Sequence, residues 1–325
     1  SLFACFIPIG AWNGAGFEAT TVNYLWPLSL GISALWPLSC FVREKKMSKW
    51  EYPFRSLCLL FAANMELMAA VLSGFYLLVG GYLQVKNKNR KLSGYYVVQV
   101  LLLVLSLAFV FTAPGNAKRS AVEMSRFFPE FAALTMGQKL WMGFLFNCHY
   151  FMGGTRCVVY LVLMIVMTFC CLCQGKKGKE LAVFLLPVFV TTVTYLVHLA
   201  LKADWKIPKP LQGLEIMVQN QTIPGFSDYS VGQIVLQTVV YLVVLGCTVA
   251  AVAVLHGRSE ESLLEWLILA AGFGSRWVMG LSPTIFVSGE RTGLFLCVAI
   301  LIVAVRNLQL VIDMKSGKLI RGDEI

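Results

Sequence analysis

The sequence predicts an all-α protein: a polytopic transmembrane helix bundle with short re-entrant and interfacial helices on its extracytoplasmic side. Three observations predict it. Hydrophobic residues make up 58% of the 325 positions and charged residues only 14%, too little polar surface for a water-soluble globule. Apolar runs long enough for a hydrocarbon core of about 30 Å recur along the chain. The net charge of +10 is spread as small basic clusters beside those runs, as membrane orientation requires and nucleic-acid binding does not. The whole of 1–325 is expected to form a single transmembrane domain, cut short at its N-terminus because residues 1–10 look like the end of an apolar span.

The runs at 24–42, 95–112, 157–173, 181–201, 231–255, 262–280 and 293–312 qualify as spans. In the first, the echo Trp26-Pro27-Leu28-Ser29 and Trp36-Pro37-Leu38-Ser39 places prolines that kink a helix and tryptophans that suit an interface or a packing groove. Segment 56–83 is also apolar but carries Asn64 and Glu66 near its middle, so it is one long helix or two short ones meeting there. Placing 43–55, 84–94, 174–180, 256–265 and 313–325 in the cytoplasm collects most of the 27 basic residues. That orientation needs 56–83 to enter and leave from one side with Glu66 at its far end. The alternative makes 137–153 a true span rather than a surface helix.

The outer segments are then 11–23, the Glu66 bend, 113–156, 202–230 and 281–292. Residues 113–156 are too apolar for an extended loop, and Phe127, Phe128, Phe131, Trp141 and Phe144 predict helices lying in the interface. Pro208, Pro210 and Pro224 predict an irregular 202–230, in which Asn220-Gln221-Thr222 is an uninformative glycosylation match. The ten cysteines are scattered, mostly in spans, and read as small apolar residues; no histidine completes a metal set around Cys170, Cys171 and Cys173.

Glu66 is the strongest single anomaly. A carboxyl at a helix centre costs about 2.5–3.5 kcal/mol on insertion scales, so such a group faces a polar cavity or a partner. It is a general base or a hydroxyl ligand, with Asn64 sharing its surroundings, or else an interhelical packing contact. Pro114-Gly115-Asn116 ends the preceding span and leaves amides and the Asn116 side chain free to donate, while Lys118 and Arg119 add positive charge suited to a phosphate. The same residues also fit an ordinary helix stop with interfacial cations. Arg276, Glu290 and Arg291 flank a short hydroxyl-rich connection and can converge on one anion or snorkel to headgroups. Glu18 lies in a small flexible segment before Tyr24 and Trp26, whose rings can stack on a sugar; it is otherwise a solvated loop acid. His149, His198 and His256 form no ligand spacing, and no phosphate loop, nucleophile elbow or zinc motif occurs.

The ordered set Asn23-Tyr24-Leu25-Trp26-Pro27-Leu28, Ala63-Asn64-Met65-Glu66, Ala113-Pro114-Gly115-Asn116-Ala117-Lys118-Arg119, and Ser275-Arg276 followed by Glu290-Arg291-Thr292-Gly293 resembles a family of bacterial multi-pass proteins. That family is related to the serotype-converting O-antigen glucosyltransferases, within the membrane glycosyltransferases of the C type. The resemblance implies transfer of a sugar from a polyprenyl-phosphate donor to a cell-envelope glycan or lipid, on the outer face of the bacterial inner membrane. It implies Glu66 and Glu18 as catalytic or polar groups. Asn64, Asn116, Lys118, Arg119, Arg276, Glu290, Arg291 and Tyr24 would bind substrate. No cofactor is implied beyond the lipid-linked sugar phosphate, and metal dependence stays open. Relatives usually carry an acidic residue in a first outer loop that this chain lacks, which would leave both glutamates in binding roles. The alternative is a transporter or flippase of an anionic glycolipid or polysaccharide; a non-catalytic scaffold is the third reading. The expected partners are membrane lipid, the donor and the acceptor, with no nucleic acid.

Overall fold

The computed structural model describes residues 21–86, 93–154, 156–206, 214–218, 228–257, 259–288 and 291–316. It is helical, with no strand among these residues. After a π turn at Thr21–Leu25 come α1 (Trp26–Val42), α2 (Glu51–Ala62), α3 (Glu66–Lys86), α4 (Gly94–Thr112) and α5 (Pro114–Phe127). A 3-10 turn at Pro129–Ala133 leads to α6 (Met136–Met152), α7 (Cys157–Cys173) and α8 (Lys179–Lys202). A second, Glu215–Val218, precedes α9 (Val231–His256) and α10 (Glu260–Trp277). The turns Val278–Leu281 and Arg291–Gly293 then lead to α11 (Leu294–Lys315).

Among the described residues five helices are long and apolar enough to cross a membrane, or six if the bent pair α6 and α7 is one span. Their outward faces carry Leu77, Leu78, Phe189, Leu196, Val235, Val239, Val305 and Leu308, all exposed, which is stable only against hydrocarbon. The chain is therefore a multi-pass membrane protein. Three spans expected from hydropathy are helical without joining the five: α4 is apolar but short, α7 qualifies only together with α6, and α10 begins with Glu260, Glu261 and Glu265. The described residues divide into two compact units, one of 134–273 with 296–316, the other of 21–133 with 274–295.

In the second unit, α2 runs back along α1: Phe61 meets the Trp26 ring at 6.2 Å, and Arg55 reaches Ser33. Pro37 explains the latter contact. It lacks the N–H that would bond the Ser33 carbonyl, and Arg55 Nη1 donates to that oxygen at 3.4 Å and to the Ser33 hydroxyl as well. Pro27 sits at the helix start, where a proline is tolerated. The chain turns at Ala63-Asn64-Met65, and α3 returns alongside α1, Met68 filling the notch left by Gly31 and the Tyr76 hydroxyl donating to the Ala34 carbonyl at 3.1 Å. Segment 56–83 is thus two helices joined at a tight turn.

A polar thread runs from the bundle's interior to its exposed edge at Tyr52. Gln99 Nε2 donates to Ser56 Oγ at 2.6 Å, Tyr95 to the Tyr52 carbonyl at 2.7 Å and Tyr96 to the Tyr76 carbonyl at 2.6 Å. Away from water such groups must satisfy one another, and here they join α2, α3 and α4.

In the first unit, α6 was expected to lie on the membrane surface, yet its second half is core: Leu145, Phe146, Cys148, Phe151 and Met152 are buried. Gln237 Nε2 donates to the Ile216 carbonyl at 2.6 Å and Tyr241 to the Met217 carbonyl at 2.8 Å, so the Glu215–Val218 turn is held inside as well. Where α10 meets α11, a Cβ on Gly272 would stand 2.5 Å from Ala299 Cβ and 3.2 Å from Leu296 Cα. Gly272→Ala is therefore expected to destabilise the protein by about 1–3 kcal/mol. Thermal unfolding in detergent checks this, since an unchanged midpoint would mean the helices separate freely there.

The same unit carries an apolar pocket of about 360 Å³ among α6, α7, α9, α10 and α11, open on the side where Val249 and Ala270 are exposed. Nine described cysteines are free thiols, seven of them buried, in keeping with their reading as small apolar residues.

Candidate functional site

The site residues that the structure brings together lie in the second unit. Tyr24 occupies the π turn ahead of α1 and is half-buried. The charges of Arg291, Glu66 and Arg119 all act on its hydroxyl. Four positions drawn from between residues 24 and 291 therefore share one electrostatic neighbourhood.

Glu66 is not in the middle of a helix. Ala62 and Ala63, both fully buried, let the turn close tightly, and Asn64 Nδ2 donates to the Leu60 carbonyl at 2.8 Å, ending α2. Glu66 then opens α3, where an acid complements the positive end of the helix dipole, and its side chain is exposed. The cost expected of a mid-span carboxylate does not arise.

Pro114 was expected to end the preceding helix, and α4 does end at Thr112; the same proline also starts the next helix. It stands at the first position of α5, a role its fixed φ and missing N–H suit, and no side chain caps that end. The first-turn amides lack helical carbonyl partners, so they point at any anion placed there. Lys118 and Arg119 follow on the exposed face, and Arg119 Nε pairs with Glu123 at 3.3 Å. Glu123 escaped the sequence reading, although the i,i+4 spacing to Arg119 was its signal.

Arg276 differs most from expectation. Instead of facing an outer mouth it is buried, 1% exposed, and Nη1 donates to Thr292 Oγ1 at 2.9 Å. Thr292 is the middle residue of the turn that carries Arg291, so Arg276 anchors the turn from within. The connection before it is ordered by its own hydroxyls: Ser282 and Thr284 share a 2.9 Å hydrogen bond, and Ser288 N–H donates to the Thr284 carbonyl at 2.8 Å. Phe286 stacks with Phe128 at 5.8 Å, tying this connection to the chain just after α5.

Glu18, Glu290 and the Asn116 side chain lie outside the described residues. Among the described residues no group of three or more His, Cys, Asp or Glu is placed to hold a metal ion. The arrangement joins two exposed or half-buried arginines, a carboxylate, a phenol and a helix N-terminus. Such a set can bind an anion and accept a proton from a neighbouring hydroxyl. Comparison with family models, curated proteins and solved structures finds no match.

Proposed function

We propose that the protein is a membrane glycosyltransferase that moves a sugar from a polyprenyl-phosphate donor to a cell-envelope glycan or lipid on the extracytoplasmic face of the bacterial inner membrane. The observation that carries this reading is the convergence of the Arg119, Arg291 and Glu66 charges on the Tyr24 hydroxyl. Displacement at an anomeric carbon breaks the bond to the phosphate oxygen as the acceptor oxygen bonds to carbon. The departing lipid phosphate gains charge, which Arg291, Arg119 and the first-turn amides of α5 are suited to stabilise. The acceptor proton goes to a carboxylate, for which Glu66 is exposed and Glu18 is the second candidate. Tyr24 offers a ring for sugar stacking and a hydroxyl for hydrogen bonding. Lys118 adds to the local positive field, Asn64 and Asn116 orient the substrate, and Glu290 adjoins Arg291. Arg276 acts through Thr292 as a positioning residue.

The transporter reading asks for polar groups along a passage. The polar groups inside the second unit are bonded to one another across helices, as packing contacts are, which favours the transfer reading. The test is to supply radiolabelled polyprenyl-phosphate sugar to the protein in membranes and to follow label into acceptor, comparing wild type with Arg119→Ala and Glu66→Gln. Both variants are expected to lose at least tenfold in rate. Undiminished transfer in both removes the site assignment, and donor that crosses the membrane intact points to transport.

A further inference from the structure

We propose that the apolar pocket of the first unit is a binding slot for one acyl chain of a bilayer phospholipid. The walls are fixed. Phe273 is held against Phe144 and Phe151 with ring centroids at 6.1 Å, Phe151 stands edge-on to Tyr160 at 5.2 Å, and Trp266 Nε1 donates to the Val249 carbonyl at 3.0 Å. These rings cannot fold inward without breaking contacts that bind four helices, so the space stays open to an occupant.

The lining decides what fits. Its polar side chains are Tyr160 and Thr248, which share a 2.5 Å hydrogen bond, and Trp266, whose N–H is already donated. Water needs two to four polar partners and finds none to spare. A helix with its side chains is about 10–12 Å across, too broad for a space of 360 Å³. A slender hydrocarbon chain remains. At about 30 Å³ for each water-sized group, roughly a dozen methylenes fill it, most of one acyl chain and only a small part of a long isoprenoid. The bilayer supplies such chains at the depth of these helices.

The experiment uses native mass spectrometry of the protein taken from nanodiscs of dibrominated dioleoyl phosphatidylglycerol and then washed stepwise in detergent. Wild type is expected to keep one brominated lipid after the loosely held ones have gone. Ala270→Phe, which fills the pocket from α10, is expected to keep at least tenfold less, and Ala270→Leu serves if the larger ring prevents folding. Val239→Phe, on the exposed face of α9, should retain lipid as wild type does. Equal retention by wild type and the filled variant overturns the proposal. In protein from native membranes, a retained mass matching an isoprenoid lipid overturns the choice of chain.

Discussion

An Arg291→Ala variant is expected to lose about 10²–10³-fold in the rate of sugar transfer, the usual consequence of removing one preorganised donor from a site where negative charge develops. Arg291 is chosen over Arg119 for a structural reason. Arg119 is largely exposed and already paired with Glu123, so part of its charge is spent locally. Arg291 is half-buried on a short turn whose middle residue is bonded to a buried arginine, and its direction is set by the fold. Arg291→Lys keeps the charge but not the planar fork, and should recover only part of the rate. Thr292→Val removes the partner of Arg276 while leaving Arg291 in place; it should lower kcat by less than the alanine change and leave donor KM nearly unaltered. Thermal unfolding measured beside the kinetics separates a lost contact from a lost fold. Transfer by Arg291→Ala within twofold of wild type, in folded protein, would dismantle the phosphate role.

The second large effect is expected far from any reacting group. Glu265 is buried, with its two oxygens 3.0 and 3.1 Å from Asn307 Nδ2 and His256 Nε2 3.4 Å from Oε1. Arg306 bonds Glu261 and lies 3.9 Å from Glu265, while Cys170 Sγ donates to the Asn307 carbonyl at 3.1 Å. One carboxylate thus joins the end of α9, α10 and α11, and through Asn307 also α7. Glu265→Ala is expected to destabilise the protein by about 1–3 kcal/mol, because it takes a shared buried acceptor away from Asn307, His256 and Arg306. Glu265→Gln keeps the shape and an acceptor and should cost clearly less. Because membrane proteins often unfold irreversibly, unfolding half-lives at one temperature are the suitable measure. A half-life unchanged in the alanine variant would show that the network carries no stability.

Hydropathy was enough to locate most of the helices, since apolar runs of span length have few other uses. The interruption around Asn64 and Glu66 was also legible: a polar pair in an apolar run leaves either a broken helix or a buried charge, and the first is found. The helix stop before Pro114 was legible, but not that Pro114 opens the next helix, because proline ends one helix as readily as it begins another; the charged residues Lys118, Arg119, Glu123 and Arg126 were the clue to the second. The burial of Arg276 could not be read, since its partner Thr292 lies sixteen residues away across an irregular connection. His256 looked solitary for a similar reason. Asn307 follows it by 51 residues, and only packing puts them together. The burial of α6 could not be read, because an aromatic-rich amphipathic helix reads alike whether its neighbour is a headgroup layer or other helices.

The proline in α1 has a consequence beyond its own helix. Arg55 takes the carbonyl that Pro37 frees, and in doing so clamps α1 to α2 near mid-length. Tyr24 precedes α1 and Glu66 follows α2, so the phenol and the acid stand at the same end of a braced helix pair. Bilayer thickness can change and the lipids around it can exchange, yet the gap between those two groups is set by protein alone.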